Sequence, residues 1–166
     1  MKQLSNVAIM RKIITIEEIG TVVSKLKKAS RKIVLAGGCF DILHVGHIAF
    51  LEKAKAAGDI LVLLLESDEA IRRLKGEKRP INPQENRAKV LSAIEFVDLV
   101  VTLPKPFQDH DYQKLVLEIK PDVIAVTAGD PSLASKKSQA REVGGVVKMV
   151  LEKISEHSTT KLLDYF

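Results

Sequence analysis

Hydrophobic residues along the chain are concentrated in short, predominantly apolar runs separated by segments of helical periodicity. The runs cover residues 32–37, 60–65, 97–103, 123–127 and 146–151. A run that is apolar throughout, instead of alternating with polar residues, is typical of a strand covered on both faces. The pattern therefore predicts five buried strands.

Helix signals occupy the segments between these runs. The first helix is predicted over residues 15–29, where apolar residues recur at helical spacing after Thr15-Ile16-Glu17-Glu18, a sequence of capping-box form. Asn82 and Pro83 predict another helix start, with asparagine as the cap and proline at the first helical position. The remaining predicted helices follow the first strand up to Gly58, cover 110–119 and 132–143, and begin at Ser158.

The alternation of strands and helices predicts an α/β fold. We expect a single Rossmann-like domain, with a five-stranded parallel sheet and helices on both faces. Residues 1–30 are assigned to an N-terminal arm and helix, and residues 31–166 to the domain itself, as one folding unit. Sheets of this kind bind ligands beyond the carboxyl ends of their strands, where the strand order reverses.

The composition narrows the class of protein. The 166 residues are 46% hydrophobic and 28% charged, which is typical of a globular domain that buries a core of its own. The single cysteine, Cys39, excludes an internal disulfide and indicates a reducing compartment. No apolar run has the form of a signal peptide or the length of a membrane span. We therefore expect a cytoplasmic protein without a membrane partner.

The charge balance is compatible with two kinds of partner. A net charge of +5 suits nucleic acid or small anionic substrates. Aromatic residues make up only 4% of the chain and tryptophan is absent, so surfaces on which bases could stack are scarce. The basic run over 72–79 is, taken alone, typical of a solvated surface. The composition therefore favours small anions over nucleic acid.

The strongest chemical signal is GGCFDILHVGH, residues 37–47, at the carboxyl end of the first predicted strand. His44 and His47 could simply pack at a helix entrance, or could join Asp41 in binding a divalent metal. A phosphate-binding site would account for each type of residue in this stretch. Glycines allow close approach of the backbone, a helix beginning near Val45 points free N–H groups at the ligand, and imidazoles add hydrogen-bond donors.

The stretch from Gly38 to His47 matches GxFDxxHxGH, and the chain resembles the cytidylyltransferase-like nucleotidyltransferases, which carry that signature. Segments 73–76 and 79–83, together with the N-terminal helix, resemble the adenylyltransferase domain of bifunctional ADP-heptose synthases. The resemblance implies a fold of the nucleotidyltransferase HIGH-superfamily type. It also implies transfer of adenylate from ATP to a phosphorylated acceptor such as heptose 1-phosphate, with release of pyrophosphate.

The resemblance implies a role for each matching residue. His44 and His47 are expected to donate to the triphosphate and the transition state, and Lys75 to neutralise phosphate of the triphosphate or the acceptor. Arg79 and Arg87 are expected near the acceptor phosphate, and Mg²⁺ is the expected cofactor, with Asp41 as its candidate ligand. The residues expected to bind the nucleotide are Gly38, Cys39, Phe40, Asp41, Gly46, Asp130, Ser158, Thr159 and Thr160.

Two segments depart from the family's pattern and leave the substrates open. Thr127 stands where relatives usually carry the lysine of a Lys-Gly-Gly-Asp turn, and residues 154–157 replace a glycine or small residue before the Ser/Thr motif. ATP or CTP is the expected nucleotide, and a homodimer is the expected assembly. The alternatives are a CTP-dependent glycerol-3-phosphate cytidylyltransferase, an FMN adenylyltransferase like archaeal FAD synthetases, or a nucleotide-binding regulator without turnover.

Overall fold

The computed structural model describes residues 11–152. The predicted last helix and the Ser158–Thr160 motif lie outside the described residues. The strands within that range are β1 (Ile13–Thr15), β2 (Ile33–Gly38), β3 (Ile60–Leu65), β4 (Leu99–Thr102), β5 (Val123–Thr127) and β6 (Val146–Leu151). The helices are α1 (Ile16–Lys28), α2 (Val45–Lys55), α3 (Asp68–Lys75), α4 (Gln84–Ser92), α5 (Asp109–Ile119) and α6 (Leu133–Glu142).

All strands in this range belong to one parallel sheet of order β1-β4-β3-β2-β5-β6. The five predicted apolar runs form β2 to β6, but the predicted number of strands is wrong, because the sheet has six. The additional strand, β1, pairs with β4 in the register Ile13↔Val100. It escapes a search for apolar runs because it has three residues, of which only Ile14 is buried.

Helices cover both faces of the sheet, as the apolar strands predict. On one face, α1, α5 and α6 pack on the sheet through side chains such as Ile19, Leu26 and Ile119. On the other face, α2 and α4 pack through Leu51 and Leu91. The N-terminal helix therefore shares a hydrophobic core with the rest of the sheet. No helix within residues 11–152 has the length and hydrophobicity needed to cross a membrane.

Two helix starts differ from the sequence prediction. Helix α3 was not predicted, and it begins after Ser67, whose hydroxyl accepts a hydrogen bond from the Ala70 N–H at 3.2 Å. Helix α4 was predicted to have Asn82 as its cap, but Pro83 occupies the cap position. The side-chain amide of Asn82 instead donates to the carbonyl oxygen of Asp41 at 2.9 Å. A long-range contact has replaced the local one.

The connections place a switch in strand order at the centre of the sheet. From β2 the chain adds β3 and β4 on one side, and then β5 and β6 on the other. The loops that follow β2 and β5 consequently diverge to opposite faces, leaving a crevice beyond their carboxyl ends. The two-histidine segment follows β2 and therefore lies at this crevice.

The turn between α6 and β6 gives a test of the packing. A Cβ atom on Gly145 would lie 2.3 Å from the carbonyl oxygen of Pro121, whereas one on Gly144, at a φ of +73°, would meet nothing within 4 Å. We expect Gly144→Ala to lower the free energy of unfolding by about 1 kcal/mol through backbone strain, and Gly145→Ala to lower it by clearly more. Urea denaturation followed by circular dichroism measures both, and equal losses would contradict the close approach.

Candidate active site

The crevice at the switch point is a cavity of about 290 Å³. Its walls include the strand ends at Gly38 and Thr127, the first turn of α2, the end of α3 and the beginning of α6. His44, His47 and Lys75, the residues to which the sequence assigned catalysis, all line it. The structure thus brings together side chains from segments on both sides of β2.

His44 is the cap of α2. Its Nδ1 accepts a hydrogen bond from the Gly46 N–H at 3.2 Å, and its backbone is extended, as a cap requires. A neutral imidazole that accepts at Nδ1 carries its proton on Nε2. The cap therefore fixes both the ring orientation and the tautomer of His44. The N-terminus of α2, with the positive end of the helix dipole, lies at the cavity wall through Gly46 and His47.

His47 lies one turn along α2, against His44. The two ring centroids are 4.0 Å apart, and the Phe40 ring lies 5.4 Å from that of His47. Burial, followed by the nearby His44 and Lys75, lowers the pKa of His47 from 6.5 to about 4. His47 is therefore neutral at pH 7. Within the described residues its Nδ1 is buried and has no hydrogen-bond partner.

The loop between β2 and α2 depends on a glycine followed by a strained aromatic residue. Phe40 is buried in the left-handed backbone region, with φ of 44°. A Cβ atom on Gly38 would lie 3.1 Å from the Phe40 ring, closer than most such contacts. The spacing of Gly38 and Phe40 in the signature therefore has a packing reason: the ring folds back over the end of its own strand.

Asp41 holds the loop to the segment 79–82. Its Oδ2 accepts from Arg79 Nε at 2.6 Å and from the Ile81 N–H at 3.0 Å, and its Oδ1 accepts from the Asn82 N–H at 2.9 Å. Burial raises the pKa of Asp41, but the two backbone donors and Arg79 outweigh burial and keep this pKa below its usual value. The carboxylate remains charged and is fully engaged by these groups.

The magnesium role predicted for Asp41 does not fit this arrangement. A magnesium ligand must present a carboxylate oxygen to the ion, and both oxygens of Asp41 already accept hydrogen bonds from protein groups. Within residues 11–152 no cluster of three or more histidine, cysteine, aspartate or glutamate side chains could hold a metal ion. The described part of the chain therefore contains no preformed cluster of three such ligands for the ion.

Arg87 is completely buried beneath the same loops. Its Nε donates to the Asn82 carbonyl at 2.9 Å, and its Nη1 donates to the Cys39 carbonyl at 2.6 Å. Its Nη2 donates to the Glu66 carbonyl at 2.9 Å and forms an ion pair with Asp68 at 2.7 Å. One guanidinium thus joins the segments that follow β2 and β3 to the start of α4.

The predicted contacts of Arg79 and Arg87 with an acceptor phosphate do not agree with this geometry. Neither residue lines the 290 Å³ cavity. Arg79 is 7% exposed and paired with Asp41, and the Arg87 side chain is fully buried among protein acceptors. Both arginines position the loops that carry the site. Lys75, which is exposed at the end of α3, is the predicted phosphate-binding cation that does reach the cavity.

Lys136 also lines the cavity, although no sequence pattern indicated it as a site residue. It lies near the start of α6, and its Nζ is 2.7 Å from Asp130 Oδ2. Asp130 Oδ1 accepts a hydrogen bond from the Ser132 N–H at 2.8 Å, which fixes the carboxylate at the start of this helix. Thr127, the position without the expected lysine, lies on the same wall. The lysine of this wall comes from α6 instead.

Glu66 and Tyr112 form a second pair that sequence reasoning missed. Glu66 directly follows β3, and its carboxylate accepts a hydrogen bond from the Tyr112 hydroxyl. Burial raises the pKa of Glu66, and burial together with the Glu66 contact raises the pKa of Tyr112. The available signal was the position of Glu66, a carboxylate immediately after an apolar strand at the binding edge of the sheet.

The described members of the predicted nucleotide-binding set all line the cavity. They are Gly38, Cys39, Phe40, Asp41, Gly46 and Asp130. Cys39 is the one free thiol of the chain, and burial raises its pKa, so at neutral pH it is a neutral side chain of the wall. Ser158, Thr159 and Thr160 lie outside the described residues. The roles assigned to all nine remain predictions.

Comparison with known proteins supports the interpretation of the signature. The model of the cytidylyltransferase-like family matches residues 35–164. Bifunctional protein HldE of Sulfurimonas denitrificans is 42% identical over 147 residues, which are 89% of this chain and 29% of that protein. Bifunctional protein HldE of Geobacter metallireducens is 39% identical over 155 residues, 92% of this chain and 30% of that one. The chain spans under a third of the length of these curated relatives.

Solved structures give a consistent result. The lipopolysaccharide core biosynthesis protein from Thermoplasma volcanium has a TM-score of 0.59 and 32% identity, over 77% of this chain and 99% of that one. Pantoate-beta-alanine ligase from Francisella tularensis has a TM-score of 0.61 and 15% identity, over 87% of this chain and 68% of that one. The second likeness is one of fold alone. The first extends over the whole length of the related chain.

The contribution of Arg87 to stability can be distinguished from the effect of losing one positive charge. Replacing it with leucine leaves Asp68 and three carbonyl groups without their donor, and breaking a buried pair in this way costs about 3 kcal/mol or more. Arg73→Leu, which breaks an exposed pair with Glu69 on α3, is the matched control and should cost less than about 0.5 kcal/mol. Urea denaturation measures both. Similar losses would show that Arg87 does not hold the loops.

The low pKa of His47 predicts a contribution to acid sensitivity. Because this pKa is about 4 in the folded protein and 6.5 ordinarily, the unfolded chain binds more protons between these values. The associated stability is complete above pH 6.5 and is lost as the pH falls toward 4. The free energy of unfolding should therefore decline less steeply over this interval in His47→Gln than in the wild type.

Urea titrations at a series of pH values measure this decline. His110→Gln, at an exposed histidine of α5, is the matched control for the removal of one imidazole. An identical decline in the two variants would contradict the buried, neutral state of His47.

Proposed function

The chain belongs to the cytidylyltransferase-like family of nucleotidyltransferases, and we propose that it transfers AMP from ATP to a sugar 1-phosphate, namely heptose 1-phosphate. Pyrophosphate is the second product. The observation that carries this proposal is the pair of imidazoles, 4.0 Å apart, at the N-terminus of α2 and facing a cavity that also contains Lys75. Such a site offers N–H donors and positive charge to a triphosphate.

The chemistry requires little covalent participation by the protein. An oxygen of the acceptor phosphate attacks the α-phosphorus of ATP, and the bond from that phosphorus to the bridging oxygen of the pyrophosphate breaks. The attacking oxygen already carries negative charge, so no strong general base is needed. The protein must hold the attacking and leaving oxygens in line and stabilise charge on the transferring group. Positioning and electrostatics therefore account for the catalysis.

The two histidines differ in how they contribute. His44 is oriented by its cap, so that its donor is Nε2, at the N-terminus of α2. His47 is neutral at pH 7 and can donate one N–H to an α-phosphate oxygen without carrying charge. Lys75 adds positive charge, which the neutral imidazole of His47 does not supply. Mg²⁺, which we propose as the ion bound to the nucleotide phosphates, would add charge neutralisation there.

Similar proteins support a sugar phosphate as the acceptor. The resemblance to ADP-heptose synthases covers the N-terminal helix and the segment around Lys75, and the HldE proteins are 39–42% identical over about nine-tenths of this chain. The related Thermoplasma protein is named for lipopolysaccharide core biosynthesis.

Pyrophosphate release by the purified protein tests the function. ATP and CTP are each crossed with heptose 1-phosphate, glycerol 3-phosphate and FMN in the presence of Mg²⁺. We expect release with ATP and heptose 1-phosphate, and a reduction in kcat of about 100-fold in His47→Ala, since one donor to the transition state is lost. His110→Ala, at an exposed histidine outside the cavity, should retain wild-type kcat.

The other outcomes each select an alternative. Release that requires CTP and glycerol 3-phosphate, or ATP and FMN, would overturn the acceptor and identify another branch of the family. Binding of ATP without release for any acceptor would contradict the proposed transfer and favour a regulatory nucleotide-binding protein. Release that is unaffected by His47→Ala would remove the histidine from the mechanism.

A further inference from the structure

We propose that Lys136 is a second phosphate-binding lysine of this site, held toward the cavity by Asp130. This inference rests on the proposed binding of a nucleoside triphosphate, but not on the identity of the acceptor. The phosphates would then lie between Lys75, from the helix that follows β3, and Lys136, from the helix that follows β5. Since β3 and β5 flank β2, the two cations approach from opposite sides of the strand that carries the signature.

The position of Lys136 is unusual for a surface lysine. A lysine near the start of a helix ordinarily extends into water, where its ammonium group is best hydrated. The side chain of Lys136 is only 28% exposed, and that of its partner Asp130 is 14% exposed. Asp130 is itself fixed by the Ser132 N–H. The ammonium group is thus held at the cavity wall, and the entropy of ordering its side chain is lost before any ligand binds.

The charges of the cavity explain why a cation is needed at this point. Asp130 places a carboxylate on the wall, where it would repel a triphosphate. Lys136 cancels that charge. An ammonium group has three N–H donors, and within residues 11–152 the hydrogen bond of Lys136 goes to Asp130. The same group can therefore bridge Asp130 and a phosphate oxygen.

The neutral state of His47 makes this contribution more important. His47 carries no charge at pH 7, and His44 uses Nδ1 as the acceptor of its cap. The protein's share in neutralising a triphosphate, beyond that of the proposed Mg²⁺, therefore comes mainly from lysine side chains and the helix N-terminus. Among the described residues the lysines that line the cavity are Lys75 and Lys136. Each is on a different wall, so together they restrain the direction in which the phosphates lie.

Adjacent lysines on α6 provide a matched comparison. Lys137 follows Lys136 directly, is exposed, and does not line the cavity. Lys136→Met and Lys137→Met remove the same charge from the same helix. The affinity for ATP, measured by isothermal titration calorimetry without an acceptor, should fall about 10- to 100-fold in Lys136→Met, as expected for a charge-assisted hydrogen bond. Lys137→Met should retain wild-type affinity, and adenosine should bind equally to all three proteins.

A measurement on the wild-type protein removes any dependence on the folding of the variant. Lysines are acylated in native conditions with and without ATP, and the modified residues are quantified by mass spectrometry. ATP should protect Lys75 and Lys136 several-fold and leave Lys137 unprotected. Equal protection of Lys136 and Lys137, or equal affinity of the two methionine variants for ATP, would overturn the proposal.

The experiment distinguishes this inference from the proposed function. If ATP binding depends on Lys136 but no acceptor gives pyrophosphate, the phosphate site is supported and the transfer reaction is not. If pyrophosphate is released and Lys136→Met matches Lys137→Met in its affinity for ATP, the reaction is supported and the role of Lys136 is wrong.

Discussion

A buried guanidinium group holds the binding edge of the sheet together. The carbonyl groups of Cys39 and Glu66 lie beyond β2 and β3, where sheet hydrogen bonding ends, and a buried carbonyl group without a donor is costly. Arg87 supplies donors to both, and to Asn82, from one rigid and permanently charged group. The geometry of the site therefore depends on α4, which presents Arg87 and is itself anchored to the sheet by Leu91.

Contacts beneath and within the loop between β2 and α2 determine the electrostatics of the cavity. Asp41 and Arg79 neutralise each other under the loop, and this pair fixes the path of the backbone into α2. His44 must keep Nδ1 unprotonated to cap the helix, and burial keeps His47 neutral. The site consequently separates two tasks. In the proposed reaction, imidazoles at the N-terminus of α2 supply directed donors, and lysines at the edge of the cavity supply positive charge.

Local pattern was sufficient for most elements and for the location of the site. Predominantly apolar runs predicted β2 to β6 because a parallel strand covered on both faces has no polar side to display. The strand β1 escaped this criterion, since it is short and buries only Ile14. Asn82 was misassigned as a cap for a different reason. Its side-chain amide donates a hydrogen bond to the carbonyl oxygen of Asp41, 41 residues away in sequence.

The sequence by itself determined the α/β class, the parallel sheet and the position of the Gly-His loop, because these follow from local periodicity and from a contiguous signature. Only the tertiary structure decided what each charged residue does. In the sequence, Arg79 and Arg87 are candidate phosphate-binding residues, as Lys75 is. The fold places both arginines beneath the loops and leaves the lysine at the cavity. Lys136 joins the site from another helix. The role of a charged residue depends on the groups that surround it in the fold. Those groups come from distant parts of the chain, so local sequence patterns do not contain that information.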